Sequence, residues 1–383
     1  MSHGGGSRLH RRTEPLYNAL ILRWLALHPF IMSLLPAVAT VSLGRATAGH
    51  SLPDKIMRAA AHSMQGIEIF YECLEQYAYD IAGVADERSL LQAAVETKGV
   101  CDRNSISIIC LQPFMHFEGL TSEKARAAAF QRLKLWFKIA HALGTDLIQV
   151  PTNFQQEGTT GSLARITADL REAGLLGLQE EPVIRLAYEA VSWGTYIDVW
   201  EDAWEVVKLV DLPNVGLCID TFHVAGRVYG DPAAVLGRRP TGEADLNASL
   251  CRMAEELDVH RIFYIQVGDA QKLSPPLDSD HPFYDIQQPK RMSWSRNARL
   301  FTFEHDKGGY LPVDKVLDAL VRLGYRGWAS METFNHELYG LDPALPEHYA
   351  TRAEQSWRRI LQFLKKKDEL EVHAPRRVNA IKI

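Results

Sequence analysis

Four side chains with an oxygen atom that can bind a metal follow apolar runs in the second half of the chain. They are Glu189, Asp220, Gln266 and Glu332. If these runs are parallel strands, their carboxyl ends lie together, and the three carboxylates repel one another unless a cation neutralises them. Three carboxylates and one amide suit a hard or borderline divalent ion such as Mn²⁺ or Mg²⁺. The alternative is a set of ordinary helix caps and surface charges.

Histidines and amides lie close to the same run ends. His223 follows Asp220 by three residues, which allows a metal ligand, an acid or base, or a plain loop histidine. The third run ends at Gln112, and His116 and Glu118 follow in the next loop. Asn153 follows the fourth run. We expect all of these side chains to lie near the same site.

A basic segment later in the chain contains Ser295, Arg296 and Arg299. Arginine side chains can hold a carboxylate through two parallel hydrogen bonds, so the segment is a candidate for binding an anionic substrate. A solvated basic loop is the alternative interpretation.

Eight short, nearly continuous apolar runs recur along the chain, and helical stretches separate them. The runs cover residues 37–43, 66–71, 107–111, 146–150, 183–188, 215–219, 262–265 and 328–331. Runs of this kind are typical of parallel strands that are buried on both faces. Eight strand–helix units without an internal sequence repeat predict one α/β domain, a (β/α)₈ TIM barrel.

The barrel is expected to cover residues 36–366, with an insertion at its active face over residues 270–310. Thr351 and Glu354 have the spacing of a capping box, which predicts that the last helix begins there and ends at the lysines 365–367. Residues 1–35 are interpreted as an extension outside the fold. Residues 367–383 are interpreted as a basic tail.

Composition excludes several classes of protein. The 383 residues carry a net charge of −5, which argues against a nucleic-acid binder. No apolar run is long enough to span a membrane, although a basic start before an apolar stretch resembles a targeting segment. Five cysteines without a C-x-x-C pair indicate reduced, mostly buried thiols and a cytoplasmic protein. A homo-oligomer is compatible with these features.

Several stretches resemble fungal-type 3-dehydroshikimate dehydratases of quinate catabolism, which belong to the xylose-isomerase-like, sugar phosphate isomerase/epimerase barrels. The resemblance spans roughly residues 36–338. Its most specific stretches are residues 40–52, 66–72, 110–116, 188–193, 218–223 and 292–299.

The resemblance implies a site and a reaction. Glu189, Asp220, Gln266 and Glu332 match the family's ligands for a divalent cation (Mn²⁺, Mg²⁺ or Co²⁺), and Ser295 and Arg299 match its contacts to the substrate. The family converts 3-dehydroshikimate, a small carboxylate, to protocatechuate and water. It does so by proton abstraction, a metal-stabilised enolate and loss of hydroxide. The remaining candidates are then assigned as follows: His223 and His116 to acid/base catalysis, and Arg296, Gln112, Glu118 and Asn153 to substrate binding.

The chain departs from the family pattern in two places. Tyr196 stands where bacterial relatives often carry a histidine, and residues 300–305 differ from the usual Phe-Tyr-Gly-Glu. Two other functions fit the same barrel. One is a sugar or ketoacid isomerase or epimerase, and the other is a non-catalytic descendant that binds metal. The basic segment with its serine favours a carboxylate substrate, and none of the four ligands is lost.

Overall fold

The computed structural model describes residues 34–373 and contains a closed barrel of eight parallel strands. Each strand pairs with the next in the chain, and the last pairs with the first. The strands are β1 (Leu34–Ala39), β2 (Gly66–Phe70), β3 (Ser107–Gln112), β4 (Leu147–Pro151), β5 (Arg185–Glu189), β6 (Val215–Asp220), β7 (Ile262–Val267) and β8 (Gly327–Met331). The predicted (β/α)₈ fold is confirmed.

Helices follow the strands and cover the outside of the barrel. They are α1 (Leu52–Ala61), α2 (Tyr71–Ala82), α3 (Glu87–Arg103), α4 (Glu123–Leu143), α5 (Leu163–Gly177), α6 (Trp200–Val210), α7 (Thr221–Val228), α8 (Gly242–Glu256), α9 (Lys290–Ala298), α10 (Val313–Leu323) and α11 (Leu345–His373). Short 3₁₀ turns lie at Thr40–Leu43, Ala46–Ala48, Val259–Arg261, His305–Lys307 and His336–Tyr339. Within residues 34–373, no helix has both the length and the apolar character needed to cross a membrane.

The strand register places polar residues at one end of the barrel. Asp220 lies opposite Gln266 between β6 and β7, and Gln266 lies opposite Ser330 between β7 and β8. Glu189 pairs with Pro151 at the ends of β5 and β4. Because every strand runs in the same direction, these positions all lie at the carboxyl end, where TIM-barrel enzymes carry their active sites.

A long connection between β7 and α10 forms its own small structure over that end. Its two short strands, Asp269–Ala270 and Arg299–Leu300, pair in antiparallel fashion, and α9 lies between them. A buried ion pair fastens the connection to the last helix, since Arg352 of α11 donates two hydrogen bonds of 2.8 Å to Glu304.

The ends of the chain differ in detail from the expected boundaries. Strand β1 begins at Leu34, two residues before the expected start, because Leu34 and Leu35 already pair with β8. The rest of the predicted extension, residues 1–33, lies outside the described residues, as do residues 374–383 of the predicted tail. All five cysteines are free thiols and four of them are buried, as predicted.

The capping box predicted at Thr351 is wrong, and the last helix starts earlier. Helix α11 begins at Leu345, and the Asp342 side chain accepts a hydrogen bond of 2.9 Å from the Ala344 amide just before it. Thr351 lies inside the helix, where its hydroxyl donates to the Glu347 carbonyl. The helix also continues past Lys367 to His373, so the first part of the predicted tail is helical. An aspartate ahead of a first-turn proline, Pro346, is as good a start signal as the threonine.

Candidate active site

The structure places the four predicted metal ligands at the carboxyl end of the barrel. Glu189, Asp220 and Glu332 are buried, and so is Gln266. Burial and the neighbouring Asp220 and Glu332 charges raise the pKa of Glu189 well above its usual value. Burial likewise raises the pKa of Glu332 to about 8. Both shifts have the same causes, burial and neighbouring carboxylates, and a bound cation would relieve them.

The Arg299 guanidinium lies among these carboxylates. Its Nη1 donates to Asp220 Oδ2 at 2.8 Å and to Glu332 Oε2 at 3.1 Å, and its Nε donates to Ser295 Oγ at 2.8 Å. Its Nη2 lies 2.8 Å from His223 Nε2. The predicted substrate-binding arginine is therefore in direct contact with two of the predicted metal ligands.

His223 is buried beside the same cluster. One oxygen each of Glu189 and Asp220 and one ring nitrogen of His223 lie within 4.8 Å of one another, close enough to share a metal ion. The Ser192 amide donates to His223 Nδ1 at 2.9 Å. Burial and the Arg299 charge lower the pKa of His223 well below its usual value, so the ring is neutral. A neutral ring accepts at one nitrogen only, so the contacts from Ser192 and Arg299 cannot both be hydrogen bonds.

Two polar residues inside the barrel were missed by the sequence interpretation. Gln149 of β4 donates through Nε2 to Glu189. Glu68 of β2 is fully buried and accepts from Gln266 Nε2 at 3.2 and 3.0 Å. Burial raises the pKa of Glu68 to about 7. The available signal was a single polar residue inside an otherwise apolar strand, because such strands are buried on both faces.

A cavity of about 450 Å³ opens above the cluster. Seven of the predicted site residues line it: Gln112, Glu189, His223, Ser295, Arg296, Arg299 and Glu332. Gln112 also donates to Glu332 Oε1 at 2.8 Å. The aromatic rings of Tyr71, Trp193 and Phe334 form much of the remaining wall. Such a mixture of aromatic walls and a few convergent polar groups is typical of a site for a small molecule.

Five predicted residues do not line the cavity: Asp220 and Gln266 belong to the buried cluster, and Glu118, Asn153 and His116 lie behind the cavity wall. Glu118 accepts hydrogen bonds from the Asn153 amide at 2.6 Å and from the Tyr188 hydroxyl at 3.0 Å. The Asn153 side chain in turn donates to the Glu118 carbonyl at 2.9 Å. His116 packs edge-on against Phe154, with ring centroids 4.4 Å apart, and Phe154 lines the cavity. Glu118 and Asn153 therefore join two loops instead of facing the cavity. The Phe154 ring lies between His116 and the cavity.

The residues present fit a divalent cation. Three buried carboxylates supply charge and oxygen ligands, and the Gln266 amide nitrogen is occupied by Glu68, which leaves the amide oxygen for a metal. The Cys218 thiol lies 3.6 Å from that oxygen and 3.9 Å from Glu189 Oε1.

The fold and this site define a barrel of the xylose isomerase-like type. The family model described as xylose isomerase-like TIM barrel matches residues 56–367, and the chain belongs to this family.

Relatives with a described activity share most of this chain. The chain is 40% identical over 337 residues to a 3-dehydroshikimate dehydratase of Neurospora crassa, with 86% of this chain and 94% of that protein covered. It is 31% identical to a 3-dehydroshikimate dehydratase of Pseudomonas aeruginosa, with 78% of this chain but 38% of that protein covered. Among solved structures, a fusion protein of a xylose isomerase-like TIM barrel and a 4-hydroxyphenylpyruvate dioxygenase superposes with a TM-score of 0.66 at 26% identity. That match covers 89% of this chain and 44% of the fusion protein.

Proposed function

We propose that the protein is a metal-dependent 3-dehydroshikimate dehydratase, a carbon–oxygen lyase that forms protocatechuate and water. The observation that carries the proposal is the buried cluster of three carboxylates and an amide beneath a cavity that arginines line. The 40% identity to the Neurospora crassa dehydratase, over 94% of its length, supports the same substrate.

Glu189, Asp220, Gln266 and Glu332 are proposed to hold the cation. When bound, a divalent ion such as Mn²⁺, Mg²⁺ or Co²⁺ supplies a Lewis acid that stabilises negative charge at the substrate ketone oxygen. The raised pKa of Glu189 and of Glu332, which burial causes, supports this assignment, because crowded buried carboxylates bind a cation in place of protons.

Arg296, rather than Arg299, is proposed to bind the substrate carboxylate. The Arg299 guanidinium is already bonded to Asp220, Glu332 and Ser295, so it fixes the geometry of the cluster. The Arg296 side chain lines the cavity and makes one hydrogen bond, of 3.2 Å, to Gln288. Its charge is therefore more available to an entering anion, and Ser295 and Arg299 form the neighbouring wall.

His223 is proposed as the acid/base residue of the reaction. As a neutral ring it takes a ring proton of the substrate, and as the cation so formed it returns a proton to the leaving hydroxide. Nε2 lies 3.6 Å from Asp220 Oδ2, on the side of the cluster. Loss of hydroxide as water, after removal of a ring proton next to the carbonyl, leaves an aromatic ring.

The test is a turnover assay on purified protein with 3-dehydroshikimate. With added Mn²⁺, Mg²⁺ or Co²⁺ we expect a product with the absorbance of a catechol acid, and a chelator should remove the activity. Absence of turnover with every one of these metals would overturn the proposal. A cytoplasmic location and a homo-oligomeric state stay predictions from the sequence.

A further inference from the structure

We propose that Glu68 is a positioning residue that holds the Gln266 side chain with its amide oxygen toward the cation. The inference rests on the proposed metal site, and it assigns a role to a buried carboxylate that touches neither the cavity nor the substrate. The juxtaposition that carries it is Glu68 on β2 against Gln266 on β7 inside the barrel.

The contact crosses the barrel interior. Strands β1 and β8 lie between β2 and β7 in the sheet, so Glu68 and Gln266 meet by their side chains alone. Gln266 Nε2 donates to Glu68 Oε1 at 3.2 Å and to Oε2 at 3.0 Å. Both side chains are fully buried, so water does not compete for these hydrogen bonds.

Glu68 accepts one further hydrogen bond from β7. The Tyr264 hydroxyl, on the same strand as Gln266, donates to Glu68 Oε2 at 2.9 Å. Glu68 therefore receives donors from two residues of β7, and both of its oxygens face amide or hydroxyl hydrogens. All three hydrogen bonds end on Glu68 oxygens, which is the pattern of an ionised carboxylate, and a cation at Gln266 would favour that form over the protonated one.

An acceptor at this position distinguishes the two ends of the glutamine amide. The NH₂ group and the oxygen of glutamine have nearly the same shape, but only the oxygen can bind a cation. A carboxylate accepts from NH₂ and repels the oxygen, so it stabilises one orientation of the amide. Without Glu68, the amide can rotate and turn its hydrogens toward the three carboxylate ligands. Groups that orient a metal ligand in this way commonly control the affinity for the metal.

The chain offers a reversed pair for the test. Glu68→Gln keeps the shape of the side chain but gives Gln266 an amide partner with no preference for either end. Gln266→Glu in the same molecule restores one carboxylate and one amide, with the acceptor now at position 266 and free to bind metal. Tyr264→Phe is the matched control, because it removes the other hydrogen bond to Glu68 and leaves the contact to Gln266.

Mn²⁺ binding should be measured by calorimetric titration of chelator-treated protein, with circular dichroism and thermal melting as checks of folding. We expect Glu68→Gln to weaken Mn²⁺ binding about 10- to 100-fold, the range found for groups that orient metal ligands. The reversed pair should recover most of the loss, and Tyr264→Phe should stay within about threefold of the wild type, as a contact that leaves the ligand alone.

Three outcomes overturn the inference. One is a folded Glu68→Gln variant that binds Mn²⁺ as tightly as the wild type. Another is a reversed pair that folds and binds no better than Glu68→Gln, which also decides the matter if the single variant is unstable. The third is a wild type that binds no Mn²⁺, which overturns the metal site as well. A wild type that binds Mn²⁺ without turning over 3-dehydroshikimate overturns the proposed function alone.

Discussion

The barrel has a large cavity at each end, and the two differ in how their charges are balanced. The cavity at the carboxyl end measures about 450 Å³ and the one at the amino end about 530 Å³. At the amino end, Arg185 and Asp146 form two hydrogen bonds of 2.8 Å, and His141 lies 3.0 Å from Glu180. At the carboxyl end, one arginine, Arg299, bonds to two of the three buried carboxylates, Asp220 and Glu332.

The difference shows that volume does not mark the functional end of this barrel. The Arg185 and Asp146 side chains are 36% and 42% exposed, so their charges are satisfied by each other and by water. The Arg299 and Asp220 side chains are 1% and 0% exposed. Three buried carboxylates outnumber the single Arg299 charge, and proteins keep such an excess of buried charge where chemistry or a bound ion requires it.

The largest expected effect comes from removing one ligand at the carboxyl end. Glu332→Gln keeps the shape of the side chain but takes away a charge and a metal oxygen. We expect kcat/KM to fall more than about 100-fold, beyond the loss of a supporting contact. Metal retained after gel filtration should fall as well. Full activity in this variant would remove Glu332 from the ligand set.

Replacing the central arginine compares the two ends directly. Arg299→Met leaves Asp220 and Glu332 buried without their partner, which should cost about 3–5 kcal/mol of unfolding free energy in the presence of chelator. Arg185→Met at the amino end leaves its partner Asp146 solvated by water, so the variant should lose less than about 1 kcal/mol of unfolding free energy. Urea unfolding of the two variants measures both values. Equal losses would show that burial does not separate the two ends.

Glu118 tests the cost of buried charge behind the cavity wall. Burial raises the pKa of Glu118 from 4.5 to about 7, so the folded protein binds a proton that the unfolded chain releases between these values. The contribution of Glu118 to the free energy of unfolding is therefore fully present below pH 4.5. It decreases as the pH rises to about 7, by about 3 kcal/mol in total.

Glu118→Gln should flatten that decrease, because an amide does not titrate. Urea unfolding from pH 4.5 to 8 measures this effect. The unfolding free energy of the variant should change less between pH 4.5 and about 7 than that of the wild type. A variant with the same pH profile as the wild type would mean that Glu118 is ionised in the folded protein.

Arg296 distinguishes binding of the substrate from organisation of the cluster. Arg296→Gln should raise KM about 10- to 100-fold, the loss of one charged hydrogen bond, and leave Mn²⁺ affinity nearly unchanged. Steady-state kinetics and metal titration on one preparation provide both readouts. An unchanged KM would assign the substrate carboxylate to another group.

The smallest effect is expected at the amino end. Asp146→Asn removes one partner of a half-exposed ion pair, so stability should change by less than about 1 kcal/mol. Turnover should not change, since Asp146 lines the opposite end of the barrel. A large loss of activity would contradict the assignment of function to the carboxyl end.

Much of the fold could be read from the chain because strand signals are local. Each apolar run in a parallel barrel is buried on both faces, so it reads as a continuous stretch, and the residue after it lies at the carboxyl end. That logic located Asp220 and Glu332 without any structure. It failed at the last helix, where Asp342 and Thr351 give equally good local start signals and packing decides between them.

The sequence by itself determined the barrel, its direction and the candidate oxygen ligands at its carboxyl end, because these follow from residue type and from spacing along one strand. Only the tertiary structure decided which side chains meet across the barrel. Glu68 and Gln266 lie 198 residues apart, and Arg299 reaches Asp220 over 79 residues. The structure likewise placed Glu118 behind the wall and Arg296 in it. Closure of the sheet creates those contacts, and no local pattern encodes them.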